Sequence, residues 1–190
     1  ELRMLDGTIL GFQPFARMGG SMLTSVTDSN GNKVTITRAS VPVALATLTD
    51  PVGRQLVFTS DAVGRTTSIT DPLGRKVTYT YDAAGYLNRV TNPLGKVTQY
   101  TYTPKGELET ITDARNAKVL ELAYNDDGRV SSETVLGVGQ TTFEYRVINA
   151  AMPKSPVVET RVTDPLGSVS IYRFNAQGYL LSATDPLGQT

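Results

Sequence analysis

The chain has 190 residues, with 18 Lys and Arg against 18 Asp and Glu, and a formal net charge of zero. Without clustered cations, nothing directs it to DNA, RNA or an anionic membrane surface. It contains neither cysteine nor histidine, which removes disulfides, thiolate metal sites and the commonest general base, so no catalytic triad and no cofactor is expected.

Residues 1–27 fit no simple frame. Glu1-Leu2-Arg3-Met4-Leu5-Asp6 lacks the apolar core of a signal peptide. No apolar run in the chain approaches the roughly 20 residues of a membrane-spanning helix. A soluble chain is therefore expected, with any export signal outside it. Phe12, Phe15 and Gly19-Gly20 read as a diverged unit or a lead-in segment.

From residue 28 onward a repeat takes over, and the array is expected to span 28–190. Asp28-Ser29-Asn30-Gly31 opens a first unit, with Val34 and Ile36 on the expected face. A tetrapeptide then recurs as Asp50-Pro51-Val52-Gly53, Asp71-Pro72-Leu73-Gly74, Asn92-Pro93-Leu94-Gly95, Asp164-Pro165-Leu166-Gly167 and Asp185-Pro186-Leu187-Gly188. The steps from 50 to 71, from 71 to 92 and from 164 to 185 are each 21 residues. A fixed period of this size marks a repeat architecture whose units complete one another.

The unit from Asp71 to Thr91 shows the physics. Asp-Pro-Leu-Gly suits a type I turn: Asp accepts a local hydrogen bond, Pro presets φ, and Gly closes the fourth position. Arg75 to Tyr81 alternates with period two, placing Val77, Tyr79 and Tyr81 on one face and Lys76, Thr78 and Thr80 on the other. Asp82-Ala83-Ala84-Gly85 is a second turn, whose Gly suits the left-handed position of a three-residue hairpin loop. Tyr86 to Thr91 returns. Leu87 and Val90 stand three apart, which an ideal strand would put on opposite faces, so a bulge is expected there.

The same frame places Phe58 and Ile69 in the unit from Asp50, and Tyr100, Tyr102, Leu108 and Ile111 in the unit from Asn92. Asp113-Ala114-Arg115-Asn116 opens a unit that runs to Leu122, Tyr124 and Gly128, and a degenerate turn falls at Val135-Leu136-Gly137-Val138 before Phe143 and Tyr145. From there to Asp164 the spacing is about eight residues too long, and the surplus around 146–158 reads as an extended loop. The last full unit carries Tyr172, Phe174 and Gly178. About a dozen strands at roughly 4.8 Å give a sheet too wide to stay flat. The fold class is thus all-β, a curled array of antiparallel hairpins.

The aromatic positions Tyr79, Tyr81, Tyr100, Tyr102, Tyr124, Tyr145, Tyr172 and Phe174 are read as a packing ladder stacked along one face. The other reading is a sugar platform, which would make the chain an adhesion or carbohydrate-binding module. The turn residues Asp28, Asp50, Asp71, Asp113, Asp164 and Asp185 each stand alone, whereas calcium needs six to eight converging oxygens. Asn125-Asp126-Asp127-Gly128 is denser but lacks the downstream bidentate Glu of an EF-hand. All are read as turn chemistry.

Residue by residue, Gly74…Tyr79-Thr80-Tyr81-Asp82-Ala83-Ala84-Gly85-Tyr86-Leu87 resembles the RHS/YD-repeat family. Its hallmark is a glycine, a short spacer, Tyr-x-Tyr-Asp-x-x-Gly and an aliphatic residue. Two further copies depart from it: Thr103 replaces the Asp in one, and Phe174 and Asn175 replace Tyr and Asp in the other. The resemblance implies a spiralling sheet that closes as a hollow β-shell and, in bacterial members, encloses a C-terminal toxin. It implies partners of three kinds: further repeats of the same polypeptide, an enclosed toxin domain, or glycans if the sugar reading holds. It also implies export or a cell-surface location. Some members self-cleave at Asp-Pro-x-Gly-Leu; here Gln189 follows Asp185-Pro186-Leu187-Gly188, and Asp164 carries the same tetrapeptide in mid-array, so no self-cleavage is expected. A slice of such an array is expected either to self-associate through its edge strands or to be capped by residues 1–27.

Overall fold

The computed structural model describes residues 1–15, 20–40, 43–152 and 154–190; Gly19, named above, and residue 153 of the expected 146–158 loop lie outside them. Seventeen strands, and no helix, occur among the described residues. They fall into two compact units, Glu1–Val97 and Thr98–Thr190.

The first unit holds β1 (Leu2–Arg3), β2 (Ile9–Phe15), β3 (Gly20–Thr27), β4 (Lys33–Ser40), β5 (Val43–Thr49), β6 (Gln55–Ser60), β7 (Thr66–Thr70), β8 (Lys76–Tyr81) and β9 (Leu87–Thr91). Each pairs antiparallel with the next. The second holds β10 (Val97–Tyr102), which begins at the boundary, then β11 (Leu108–Thr112), β12 (Lys118–Tyr124), β13 (Val130–Val135), β14 (Gly139–Val147), β15 (Val157–Thr163), β16 (Val169–Phe174) and β17 (Leu180–Thr184). These too pair antiparallel in chain order. Alternating β-branched and aromatic residues between tight turns leave the backbone no better pairing than the next strand along.

The turns at both ends of a hairpin share one geometry, although their sequences differ. In Asp71–Gly74 the Gly74 amide donates to the Asp71 carbonyl at 2.9 Å, and the Asp71 amide to the Arg75 carbonyl at 3.0 Å. Asp82–Gly85 repeats both bonds at 3.0 and 2.9 Å. The fourth residue sits at φ +78° in Gly74 and +92° in Gly85, the left-handed position that follows a type I turn in a bulged hairpin loop. Asn116 fills it at φ +61°, consistent with Asn being the side-chain-bearing residue that tolerates this region best.

The first turn residue is a clamp. Asp71 Oδ1 accepts from the Leu73 and Arg75 amides at 3.0 and 2.8 Å, while Oδ2 takes Arg75 Nε at 2.6 Å. Asn92, without charge, receives the same two amide bonds from Leu94 and Lys96. For Asp71, burial pushes the carboxyl pKa up, but the Arg75 side chain and the Arg75 and Leu73 amides outweigh it and leave it below the ordinary 3.8. Asp50 and Asp61 show the same balance. In Asp113 the bond from Arg115 is the largest effect, and in Asp28 the bond from Asn32.

Between β14 and β15 the chain leaves the frame. Ile148 donates to the Pro156 carbonyl at 3.0 Å, Asn149 N to Ser155 Oγ at 3.0 Å, and Arg129 Nη2 to the Ser155 carbonyl at 2.6 Å. Ser155 is buried at 5 % exposure, tying this loop to the β12–β13 turn.

Packing is that of a single layer. Ala44, at 8 %, is the one apolar residue among those described that falls in the buried class, and no large side chain is fully buried. Stability therefore comes from many half-buried contacts and ladder bonds between neighbouring strands, as expected for a one-dimensional array.

Two outcomes follow. Asp71→Ala should lower Tm by a few degrees, whereas Asp71→Asn should leave most of the stability, as Asn92 does naturally; thermal denaturation at neutral pH compares them. The depressed carboxylates contribute stability that is complete above their unfolded value of 3.8 and is lost as pH falls through their lower folded values. Tm should thus be flat from pH 7 to about pH 5 and fall below about pH 4, more shallowly in the Asp71→Asn variant.

Candidate functional site

Register sorts the side chains onto two faces. In the first unit Val26–Val34, Ile36–Leu48–Leu56, Phe58–Ile69–Val77 and Tyr79–Val90 are cross-strand neighbours on one face. Thr37–Thr47–Val57–Thr70 and Thr59–Ser68–Thr78–Thr91 share the other. The second unit repeats this with Tyr100–Ile111–Leu120–Val135 against Thr101–Thr110–Glu121–Thr134. Late in that unit the polar face becomes charged, with Glu159 between Arg146 and Arg173 at 3.8 and 2.9 Å.

All eight predicted aromatics are half-buried. Tyr79 pairs with Val90, Tyr81 with Leu87, Tyr100 with Ile111, Tyr102 with Leu108, Tyr124 with Val130, Tyr145 and Tyr172 with Thr160, and Phe174 with Leu180. The expected stack of rings is thus interleaved: a smaller side chain of the return strand stands between one aromatic and the next.

The spacing of Leu87 and Val90 has the anticipated cause. Thr80 pairs with Arg89 but Tyr81 with Leu87, so Asn88 is a one-residue bulge. The same slip leaves out Thr24, Ala46, Thr67, Glu109, Ser131, Val158 and Leu181 on the other return strands. Its effect reaches the following hairpin. The ladder from β7 to β8 stops at Ser68–Thr78, just past the bulge, so the Thr66 carbonyl lies beyond it. Tyr81, three residues past that last pair, donates its hydroxyl to the Thr66 carbonyl at 2.7 Å.

This joint recurs. The β11–β12 ladder ends at Thr110–Glu121, and Tyr124 reaches the Leu108 carbonyl at 2.7 Å. The β13–β14 ladder ends at Ser132–Thr142, and Tyr145 reaches the Val130 carbonyl at 2.7 Å. Burial raises the pKa of both hydroxyls, helped by Glu107 at Tyr124 and opposed by Arg129 at Tyr145, so they stay protonated donors at neutral pH. Arg65 lies 4.5 Å over the Tyr81 ring and Arg129 6.0 Å over that of Tyr145, adding cation–π contact. Between β15 and β16 the ladder runs on to Glu159–Arg173, the residue before Phe174. A ring without a hydroxyl stands there.

Sequence reasoning missed one joint residue. At β3–β4 the ladder ends at Ser25–Thr35, and Arg38 Nη1 donates to the Leu23 carbonyl at 2.5 Å. The signal was positional: Arg38 occupies the place of Tyr81 counted from the turn.

The predicted turn residues stand at the rims. Val52, Leu73, Leu94, Leu166 and Leu187 at their third positions are 76, 78, 83, 91 and 84 % exposed. An open groove of about 570 Å³ runs between the Asp50 and Asp71 turns, lined by Leu48, Leu56, Pro72 and Leu73. The turn carboxylates spend their oxygens on their own turns, and no group of three or more His, Cys, Asp or Glu that could hold a metal converges among the described residues. In the cluster at Asn125, Oδ1 accepts from the Asp127 and Arg129 amides, and Asp127 pairs with Arg129 at 2.6 Å.

Tyr81→Phe should cost about 1 kcal/mol, the usual net worth of one hydrogen bond. Tyr81→Ala should cost about 2–3 kcal/mol, less than a fully buried ring because the residue is half-exposed. Urea denaturation reads both; a Tyr81→Phe variant as stable as the unaltered chain would mean the hydroxyl contributes nothing.

The RHS Repeat family profile matches residues 61–95, 87–118 and 159–190. No curated protein matches the chain. Among solved structures, TcdB2-TccC3 without its hypervariable C-terminal region aligns over 98 % of this chain with TM-score 0.60 and 15 % identity, covering 11 % of that chain. The Photorhabdus luminescens Tc holotoxin pore aligns over 83 % of this chain and 9 % of its own, with TM-score 0.58 and 17 % identity. A TcdB2-TccC3-Cdc42 structure aligns over 97 % of this chain and 14 % of its own, with TM-score 0.55 and 13 % identity. This chain therefore spans only 9–14 % of the length of those it resembles, and at such identities the likeness is one of fold. With the repeat profile, the 21-residue period and the jointed hairpins in agreement, residues 61–118 and 159–190 carry RHS repeats.

Proposed function

We propose that this chain is a non-enzymatic stretch of wall in an RHS/YD-repeat shell, acting by steric enclosure of a polypeptide cargo such as a toxin domain. The observation that carries the reading is the single-layer sheet itself. Its hydrogen bonds run from hairpin to hairpin, and one face is an uncovered band of half-buried aliphatic and aromatic side chains. Such a wall blocks access by backbone continuity and offers an apolar surface to a chain held against it. Residues 1–27 belong to the same wall in this reading, since β2 and β3 share the one-residue bulge. The outer edge of β17 is the place where a further strand, from the same polypeptide or a second copy, would add. Export or surface display accompanies the role.

The adhesion reading is less well supported. The tyrosines of the ladder are half-buried, and three of their hydroxyls are already engaged with backbone carbonyls, which leaves little of each of those rings for a sugar.

Limited proteolysis of a longer protein that contains this chain and a cargo segment tests enclosure. The cargo should resist protease in the intact protein and become sensitive when Tyr81 and Tyr124 are both changed to Ala. Equal cleavage rates in both would refute enclosure. A glycan array on the 190-residue chain should show no saturable binding; saturable binding lost in Tyr79→Ala would favour the sugar platform instead.

A further inference from the structure

The β5–β6 joint differs from the others in the first unit. Its ladder ends at Thr47–Val57, and Ala46 is the bulge before it, so the carbonyl beyond the ladder belongs to Leu45. Three residues past the last pair, where Arg38, Tyr81, Tyr124 and Tyr145 send a donor across, stands Ser60. A serine hydroxyl extends one bond from Cβ, far short of a tyrosine or arginine. Ser60 Oγ is buried and has no hydrogen-bond partner among the described residues; Ser68 Oγ at the β7–β8 joint shares that state, so what sets β5–β6 apart is the missing cross-strand donor. The joint thus combines a ladder that stops early with a buried hydroxyl that bonds to nothing, a costly combination in a sheet with no thick core.

We propose that the joint position is a strand-to-strand latch whose strength is set by one residue per hairpin, and that the Ser60 joint is the unlatched one, where the first unit opens first. The device is conformational and goes beyond enclosure: a wall with one weak seam parts at a defined place instead of fraying throughout. The seam lies between β5 and β6, flanked by the Arg38 latch at β3–β4 and the Tyr81 latch at β7–β8. No general loosening is implied, because the β4–β5 and β6–β7 hairpins on either side are fully laddered around their bulges.

Native-state hydrogen exchange on the 190-residue chain, resolved by residue, tests this without reference to any cargo. Amides bonded between β5 and β6 should exchange about two- to tenfold faster than those between β7 and β8, the range that one hydrogen bond supplies. Ser60→Tyr or Ser60→Arg should slow β5–β6 exchange by a similar factor, while Tyr81→Phe should speed β7–β8 exchange and leave β5–β6 unchanged. Two replacements are used, so that a poorly fitting tyrosine is distinguished from a failed latch by the arginine, which has its precedent in Arg38. Equal protection at both joints in the unaltered chain would overturn the proposal, as would well-folded Ser60→Tyr and Ser60→Arg variants that leave β5–β6 exchange unchanged. Since the measurement uses no cargo, it can fail while enclosure stands, or succeed while enclosure falls.

Discussion

A carbonyl stranded by a bulge governs this structure. The extra residue in each return strand bends and twists the sheet, and it also ends the ladder to the following hairpin two residues early. A backbone acceptor left half-buried without a partner costs as much as a lost hydrogen bond. Water can serve it at an open edge, but between two packed hairpins a side chain must. That requirement explains why a long donor stands at one place in most units, and why it is the second aromatic of the pair that carries a needed hydroxyl. At β15–β16 the ladder has five pairs, against three at β7–β8, and ends beside Phe174, so the aromatic there is not placed three residues past the last pair.

Much of this was legible in the chain. The recurrence of Asp-Pro-Leu-Gly fixed the hairpin length, and period-two alternation assigned Val77, Tyr79 and Tyr81 to one face. The awkward interval from Leu87 to Val90 exposed the bulge. What stayed hidden was long-range or chemically disguised. The bond from Tyr81 to Thr66 spans 15 residues, and nothing local to either residue announces it. Arg38 does the same work with a different functional group, so a search for aromatic residues passes over it. The likeness of the two turn classes was also obscured, because Asp82-Ala83-Ala84-Gly85 lacks the proline that marks its partner. The division into two compact units at Val97 and Thr98 leaves no trace either, since the repeat runs through it without a break.

The two faces carry different physical characters, and this bears on enclosure. One is a band of aliphatic and aromatic side chains; the other is threonine and serine, giving way to the Arg146–Glu159–Arg173 ladder. With zero formal net charge, the chain sets up no strong overall field toward either face. Whatever lies against the apolar face would be held by area and shape, a form of contact indifferent to sequence. That suits a wall more than a receptor.

The shared turn geometry has a consequence for how such arrays lengthen. The turns that open on Asp or Asn accept the same join, so a duplication can begin at any of them without disturbing the backbone there. The strands are not interchangeable, however: every return strand carries the bulge before its joint, and outgoing strands, of which β12 has a further bulge at Val119, carry the donor. Adding a single strand would reverse every later strand and set bulge against bulge. Growth is therefore quantised in pairs, and an insertion of 21 residues is silent where one of 10 or 11 is not. The surplus residues before Asp164 obey the same arithmetic, for they lengthen β14, β15 and the loop between them and leave the count of strands unchanged.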